Sequence, residues 1–174
     1  YDGEPIQAVF FSSAAGRTVD AVEVWGTSVP YLTGVDSPEG EEVPNWHSSL
    51  TLTPEEFREK FLAAWPGAAL EGDPSGWFQN VVNTSAGGVE SIDVGGVTVS
   101  GMDLRTLLEL RSANFTVAAT AEQIVFSVTG YGHGVGMSQY GANAMAQAGS
   151  GWREILTHYY TGITIQPWEG DAAA

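Results

Sequence analysis

Four glycines at alternate positions, Gly130, Gly132, Gly134 and Gly136, follow directly on the apolar, β-branched run Ile124-Val125-Phe126-Ser127-Val128. Glycine has no Cβ, so such a stretch either adopts positive backbone dihedrals or lets another group come close to the main chain. After it, residues 137 to 148 are small and alanine-rich, with Gly149 as a stop. The pattern predicts a strand, a glycine loop and a closely packed helix, around which the rest of the fold must be arranged. It is not a nucleotide loop: the Gly-x-Gly-x-x-Gly spacing and the Lys-Ser/Thr pair of a phosphate loop are both missing.

The remaining elements are short. Thr53, Pro54 and Glu56 make a capping box with proline in the first turn, which predicts a helix over 54 to 64 that closes before Pro66. Residues 76 to 100 read as strands, with a turn at Gly95-Gly96, and 103 to 110 as a short helix. Phe115-Thr116-Val117 and 124 to 128 form a candidate hairpin. Trp152, Ile155, Leu156, Tyr159 and Tyr160 give a final amphipathic helix ended by Gly162. Residues 12 to 49 read as loops with extended pieces at Val22-Glu23-Val24-Trp25 and Tyr31-Leu32, and Glu39 to Glu42 as a solvated stretch. Ile6 to Phe11 reads as a strand entered from the turn-like Asp2-Gly3, the second arm of a hairpin whose first arm lies outside the chain. The expected class is α+β: a β-rich mixed single domain, with a few short helices packed on twisted antiparallel sheet. That domain covers 1 to 165, and a C-terminal tail covers 166 to 174.

At 174 residues one core is the default, and 43% apolar against 16% charged residues is the composition of a folding chain. A formal charge of −15 excludes a nucleic-acid or anionic-membrane binder, so no nucleic-acid partner is expected. A neutral sugar polymer fits that charge, and six Trp, six Tyr and seven Phe supply stacking faces, most of them read as core. Without Cys, and with its three His far apart, the chain is expected to hold no metal and no cofactor.

His133 sits inside the glycine loop, with Ser138 and Gln139 at the start of the following helix. Imidazole, hydroxyl, carboxamide and helix amides could converge there on a ligand rich in hydroxyls. Alternatively, His133 and Gln139 hydrogen-bond buried backbone around a tight turn. His47 reads as a loop residue and His158 as a packing histidine. A Ser-His-Asp triad built on Ser12 or Ser13 lacks any supporting elbow. No glutamate carries a signature for the proton donor that glycosidic cleavage needs.

The stretch Gly132-His133-Gly134-Val135-Gly136-Met137-Ser138-Gln139-Tyr140-Gly141-Ala142 resembles the hallmark of the stage II sporulation protein D family and its amidase-enhancer relatives. Pieces from Pro5-Ile6-Gln7-Ala8 through Glu23-Val24-Trp25-Gly26 to Ile155-Leu156-Thr157-His158-Tyr159-Tyr160 agree in order, so the resemblance spans about 1 to 165. It implies an extracytoplasmic protein, secreted or anchored through a segment outside this chain, acting on peptidoglycan by lytic transglycosylation of peptide-stripped glycan strands. Other family members modify amidases. The family's catalytic glutamate lies in an upstream Pro-Ser-Glu-Met-like segment that this chain does not contain, so no catalytic residue is expected here. The first third of the domain is expected as a separate fragment or not at all. The resemblance makes His133, Ser138, Gln139, Gly134 and Gly136 substrate-cleft residues, with Ser12, Ser13 and Arg105 as further candidates. It implies glycan strands, a cell-wall amidase and the chain's own N-terminal fragment as partners. Some relatives carry Cys and His where this chain has Phe-Phe-Ser-Ser-Ala-Ala-Gly over 10 to 16, so zinc binding does not carry over.

Overall fold

Reciprocal caps decide where two of the helices begin. Thr53 Oγ1 accepts from the Glu56 amide at 3.2 Å while Glu56 accepts from the Thr53 amide at 2.8 Å, and Ser100 and Asp103 repeat the exchange at 3.0 and 3.1 Å. Each pair satisfies amide donors that a helix start leaves open. In the computed structural model, which describes residues 1 to 167, the elements in chain order are β1 (Phe10–Phe11), α1 (Ala21–Trp25), β2 (His47–Leu52), α2 (Pro54–Ala64), β3 (Phe78–Asn83), β4 (Val89–Val94), β5 (Val97–Ser100), α3 (Gly101–Leu107), β6 (Phe115–Ala119), β7 (Ile124–Thr129), β8 (Met137–Ser138), α4 (Gln139–Gln147) and α5 (Trp152–Tyr159). The fold is α+β. The tail expected over 166 to 174 lies, beyond Pro167, outside the described residues.

Two antiparallel sheets, ordered β2-β7-β6 and β3-β4-β5, share one apolar core with α2 and α3. Phe57 and Phe61 of α2 are fully buried there, with Phe57 against Trp77, Phe78 and Phe126. A second, smaller core gathers Ala21, Leu32, Val135, Ile155, Tyr159 and Tyr160, beside the parallel pair β1-β8. The glycine loop leaves β7 in the first core and reaches β8 in the second. On the way it bridges Ser13 to Tyr131, Ser112 to Gly132 and Val19 to Val135.

Several expectations need correction. Val22-Glu23-Val24-Trp25 is helical: Glu23 reaches back to the Asp20 amide, and Gly26 closes the turn at φ 71°. This local cap overrides the β-branched pattern. Tyr31-Leu32 forms no strand, and the strand expected over 6 to 11 narrows to Phe10–Phe11. It pairs in parallel with Met137–Ser138, the opposite sense to a hairpin. The helix expected from Met137 starts at Gln139, because Ser138 is its N-cap and accepts from the Gly141 amide at 3.2 Å. His47 lies in β2 rather than in a loop, with its ring nitrogens 3.0 Å from Glu41 Oε1 and 3.1 Å from Thr129 Oγ1. Glu39 is not solvated but 4% exposed, although Glu41 and Glu42 are exposed as expected.

Candidate functional site

The glycines are needed because the chain's own residues press on the loop. A Cβ on Gly132, whose φ is 123°, would stand 2.6 Å from the Phe11 Cβ, and one on Gly136 would run into the Val9 carbonyl. The close approach anticipated from the sequence is therefore made at these two positions by the segment around β1. Gly134 faces Val19, whose Cγ2 would stand 2.8 Å from a Cβ placed there, and with Gly132, His133 and Ser13 it lines a narrow cleft of about 70 Å³ between the loop and the β3-β4 region. The cleft's apolar wall includes Phe11, Val19 and Val24, and Glu23 and Glu90 bring carboxylates to it.

His133 sits on the wall of this cleft, half-buried. Its Nδ1 accepts the Val135 amide at 3.1 Å, and its ring lies 5.6 Å from both Phe11 and Trp25. Burial pushes its pKa below the usual imidazole value, a hydrogen bond with the Phe10 backbone opposes that shift, and the nearby Arg105 charge adds to it. The imidazole is thus held neutral, with Nδ1 turned to the protein. Trp25 leaves 45% of its surface open beside it.

Below the loop is a polar knot. Glu39 Oε1 accepts from the Ala14 amide at 2.6 Å and from the Ser138 hydroxyl. Oε2 accepts from Ser37 Oγ at 2.5 Å, and Ser37 Oγ is in turn 2.7 Å from the Tyr159 hydroxyl. Burial raises the Tyr159 pKa to about 12, Ser37 opposing and the Glu39 charge reinforcing the shift. Gly141 completes the packing, since a methyl group there would meet Tyr159 Oη, Ser37 Oγ and the Glu39 carboxylate together.

The sequence candidates therefore fall into groups. His133, Gly134 and Ser13 meet at the cleft. Ser138 is fully buried in the knot, and its hydroxyl also lies 3.3 Å from the Ser12 carbonyl. Gly136 is buried against Val9, while Gln139 is exposed at the first position of α4. Arg105, on α3, donates its Nε to the Arg111 carbonyl at 3.3 Å. His158 is the packing histidine expected, with Nε2 2.7 Å from the Asp36 carbonyl oxygen. Sequence reasoning missed Trp25, Arg111 and Glu39. The first two lie in pieces that match the family but were not read as site residues, and Glu39 was hidden in an acidic run where only burial sets it apart.

Glu23 does not stand ready as an acid. Its oxygens accept from the Ser85 amide at 2.7 Å, the Ser85 hydroxyl at 2.8 Å and the Asp20 amide at 3.3 Å, so it ties α1 to the β3-β4 turn. Glu90 is exposed at the cleft edge.

Stage II sporulation protein D of Bacillus subtilis (strain 168) is 37% identical over 172 residues, which is 99% of this chain, and its counterpart from Bacillus amyloliquefaciens is 38% identical over 165 residues. The chain belongs to the stage II sporulation protein D family. The amidase enhancer of Bacillus subtilis (strain 168) is more distant, at 29% identity over 216 aligned residues that cover 95% of this chain. No family model matches the chain. The chain spans about half the length of the two sporulation proteins, 48% and 46%.

Proposed function

We propose that this chain supplies the glycan cleft of an extracytoplasmic peptidoglycan-remodelling protein, a lytic transglycosylase acting on peptide-stripped strands. The observation that carries the reading is the cleft at the glycine loop, where a neutral histidine and carboxylates meet an apolar wall, with the exposed Trp25 ring against that histidine just outside the lining. Sugars are bound by stacking of their apolar faces together with hydrogen bonds to their hydroxyls, and this set offers both. His133 is the side chain that meets hydroxyls, with Ser13 at the cleft, while Ser12 and the exposed Gln139 lie outside its lining. Ser138 and Gly136 act through the loop's position rather than by touch.

The acid is a glutamate outside this chain. It protonates the oxygen between N-acetylmuramic acid and N-acetylglucosamine. The resulting carboxylate then takes the proton of the muramoyl C6 hydroxyl as that oxygen closes on C1. The bond to the leaving N-acetylglucosamine breaks, a 1,6-anhydro ring forms, and no water is consumed. The cleft's task is to hold the C6 hydroxyl over C1, which is positioning catalysis.

The test is digestion of amidase-stripped glycan strands by the intact protein, with mass spectrometry of the products. Anhydromuramyl ends are expected, and their absence in the presence of bound glycan would sink the transglycosylase reading. A second reading follows from the amidase-enhancer relative: a non-catalytic wall protein that raises the rate of an N-acetylmuramoyl-L-alanine amidase. It predicts faster peptide release from whole sacculi when the protein is added to such an amidase, with no anhydro products.

A further inference from the structure

The chain has six Lys and Arg among 174 residues, and two of them, Arg105 and Arg111, line one shallow hollow beside the glycine loop. Tyr131, the second residue of the loop, closes its side, with the Arg111 guanidinium 4.4 Å from the ring centroid. The Arg105 side chain makes one hydrogen bond and the Arg111 side chain makes none. The Arg111 carbonyl accepts the Gly132 amide at 2.9 Å and Arg105 Nε at 3.3 Å, which joins the hollow to the residue before His133.

What the arginines lack is a counter-charge. Among the described residues, ion pairs form at Arg17 with Asp36 and at His47 with Glu41, and none forms at Arg105 or Arg111; Arg58, Lys60 and Arg153 also form none, but only Arg105 and Arg111 share one hollow. Glu109 borders the hollow without pairing with either. The Arg111 Nε–H is buried with no acceptor. In a chain of charge −15, two guanidinium groups lining one hollow without a paired carboxylate make a local positive site. Guanidinium groups bind carboxylates by paired N–H donors, and with both Nε–H groups turned to the protein the terminal Nη donors of Arg105 and Arg111 are the ones left for a ligand.

We infer that Arg105 and Arg111 form a carboxylate subsite for the free lactyl group of peptide-stripped muramic acid. The inference rests on the proposed glycan cleft and deepens it. Removal of the stem peptide by amide hydrolysis leaves one carboxylate on the lactyl ether of each muramoyl residue. A strand that still carries peptides offers an amide there instead. The hollow thus reads whether the strand has been stripped, while the neighbouring cleft holds the sugar rings.

The test is equilibrium binding of the chain to two probes: stripped glycan oligosaccharides, and the same oligosaccharides with their lactyl carboxylates reduced to alcohols. The wild type is expected to prefer the carboxylate form by about tenfold or more, the usual worth of a charge-assisted hydrogen-bond pair. Arg105→Gln and Arg111→Gln are expected to weaken binding of the stripped form until the two probes are equal, leaving affinity for the reduced form unchanged. The ratio between probes is the readout, because a folding defect lowers both affinities together. If Arg111→Gln does not fold, Arg105→Gln decides alone. Equal wild-type binding of both probes overturns the carboxylate subsite and leaves the glycan reading standing. Binding of neither probe overturns both.

Discussion

The two cores hold together by different means. Around α2, apolar side chains do the work: Phe57, Phe61, Trp77 and Phe126 interlock, and the strands around them are ordinary antiparallel pairs. In the smaller core, apolar contacts among Val135, Ile155 and Tyr160 are supplemented by the buried knot of Glu39, Ser37, Ser138 and Tyr159. A hydrophobic core tolerates adjustment as long as volume is kept, whereas a buried carboxylate with three donors fixes one arrangement. The half that carries the glycine loop is thus the half specified by direction rather than by bulk.

The largest effect expected from breaking this contrast is Phe57→Ala. Emptying the centre of the larger core should cost about 3–5 kcal/mol in chemical denaturation. In the fraction still folded, the His133 ring should keep its NMR chemical shifts, since Phe57 lies in the other core. Glu39→Gln should cost less, about 1–3 kcal/mol, because one face of the carboxamide cannot accept and a buried donor loses its partner. Unlike the first change, it should shift His133 resonances and weaken glycan binding. If Phe57→Ala disturbs His133 as much as Glu39→Gln does, the two cores are one mechanical unit and the contrast fails. Smaller again is Thr53→Ala, which removes the cap of α2 and should cost about 1 kcal/mol with no effect on binding.

The larger half was legible in the sequence for the same reason that it is robust. Thr53 to Glu56 announces a helix start, Gly95-Gly96 a hairpin and 124 to 128 a strand, and each local signal agrees with the tertiary outcome. The smaller half was misread where contacts distant in sequence decide. Ser138 lies 99 residues from Glu39 in the chain, and no periodicity relates them. The cap formed by Glu23 was not read, and the β-branched Val22 and Val24 pointed to an extended piece instead. The loop's hallmark located the site, and His133 was found with it. Trp25 and Arg111 come to the loop by topology, which is why no spacing rule could include them.

The last way to sharpen the contrast is pH. His133 titrates below its ordinary value of 6.5 in the folded protein, so the fold favours the neutral ring. Well above 6.5 neither state carries the proton, and the stability tied to the neutral ring is fully present. As pH falls below 6.5 the unfolded chain takes up the proton first, so it binds more protons than the native state and stability must decline until the folded pKa has also been passed. The charged neighbour is Arg105, which drives the shift in the same direction as burial. Denaturation between about pH 7.5 and 5 should therefore show a fall in stability that His133→Gln abolishes and Thr53→Ala leaves intact. A wild type that instead gains stability on acidification across that window would mean that the loop offers His133 an anionic partner, and that the neutral imidazole is not what holds it against the Val135 amide.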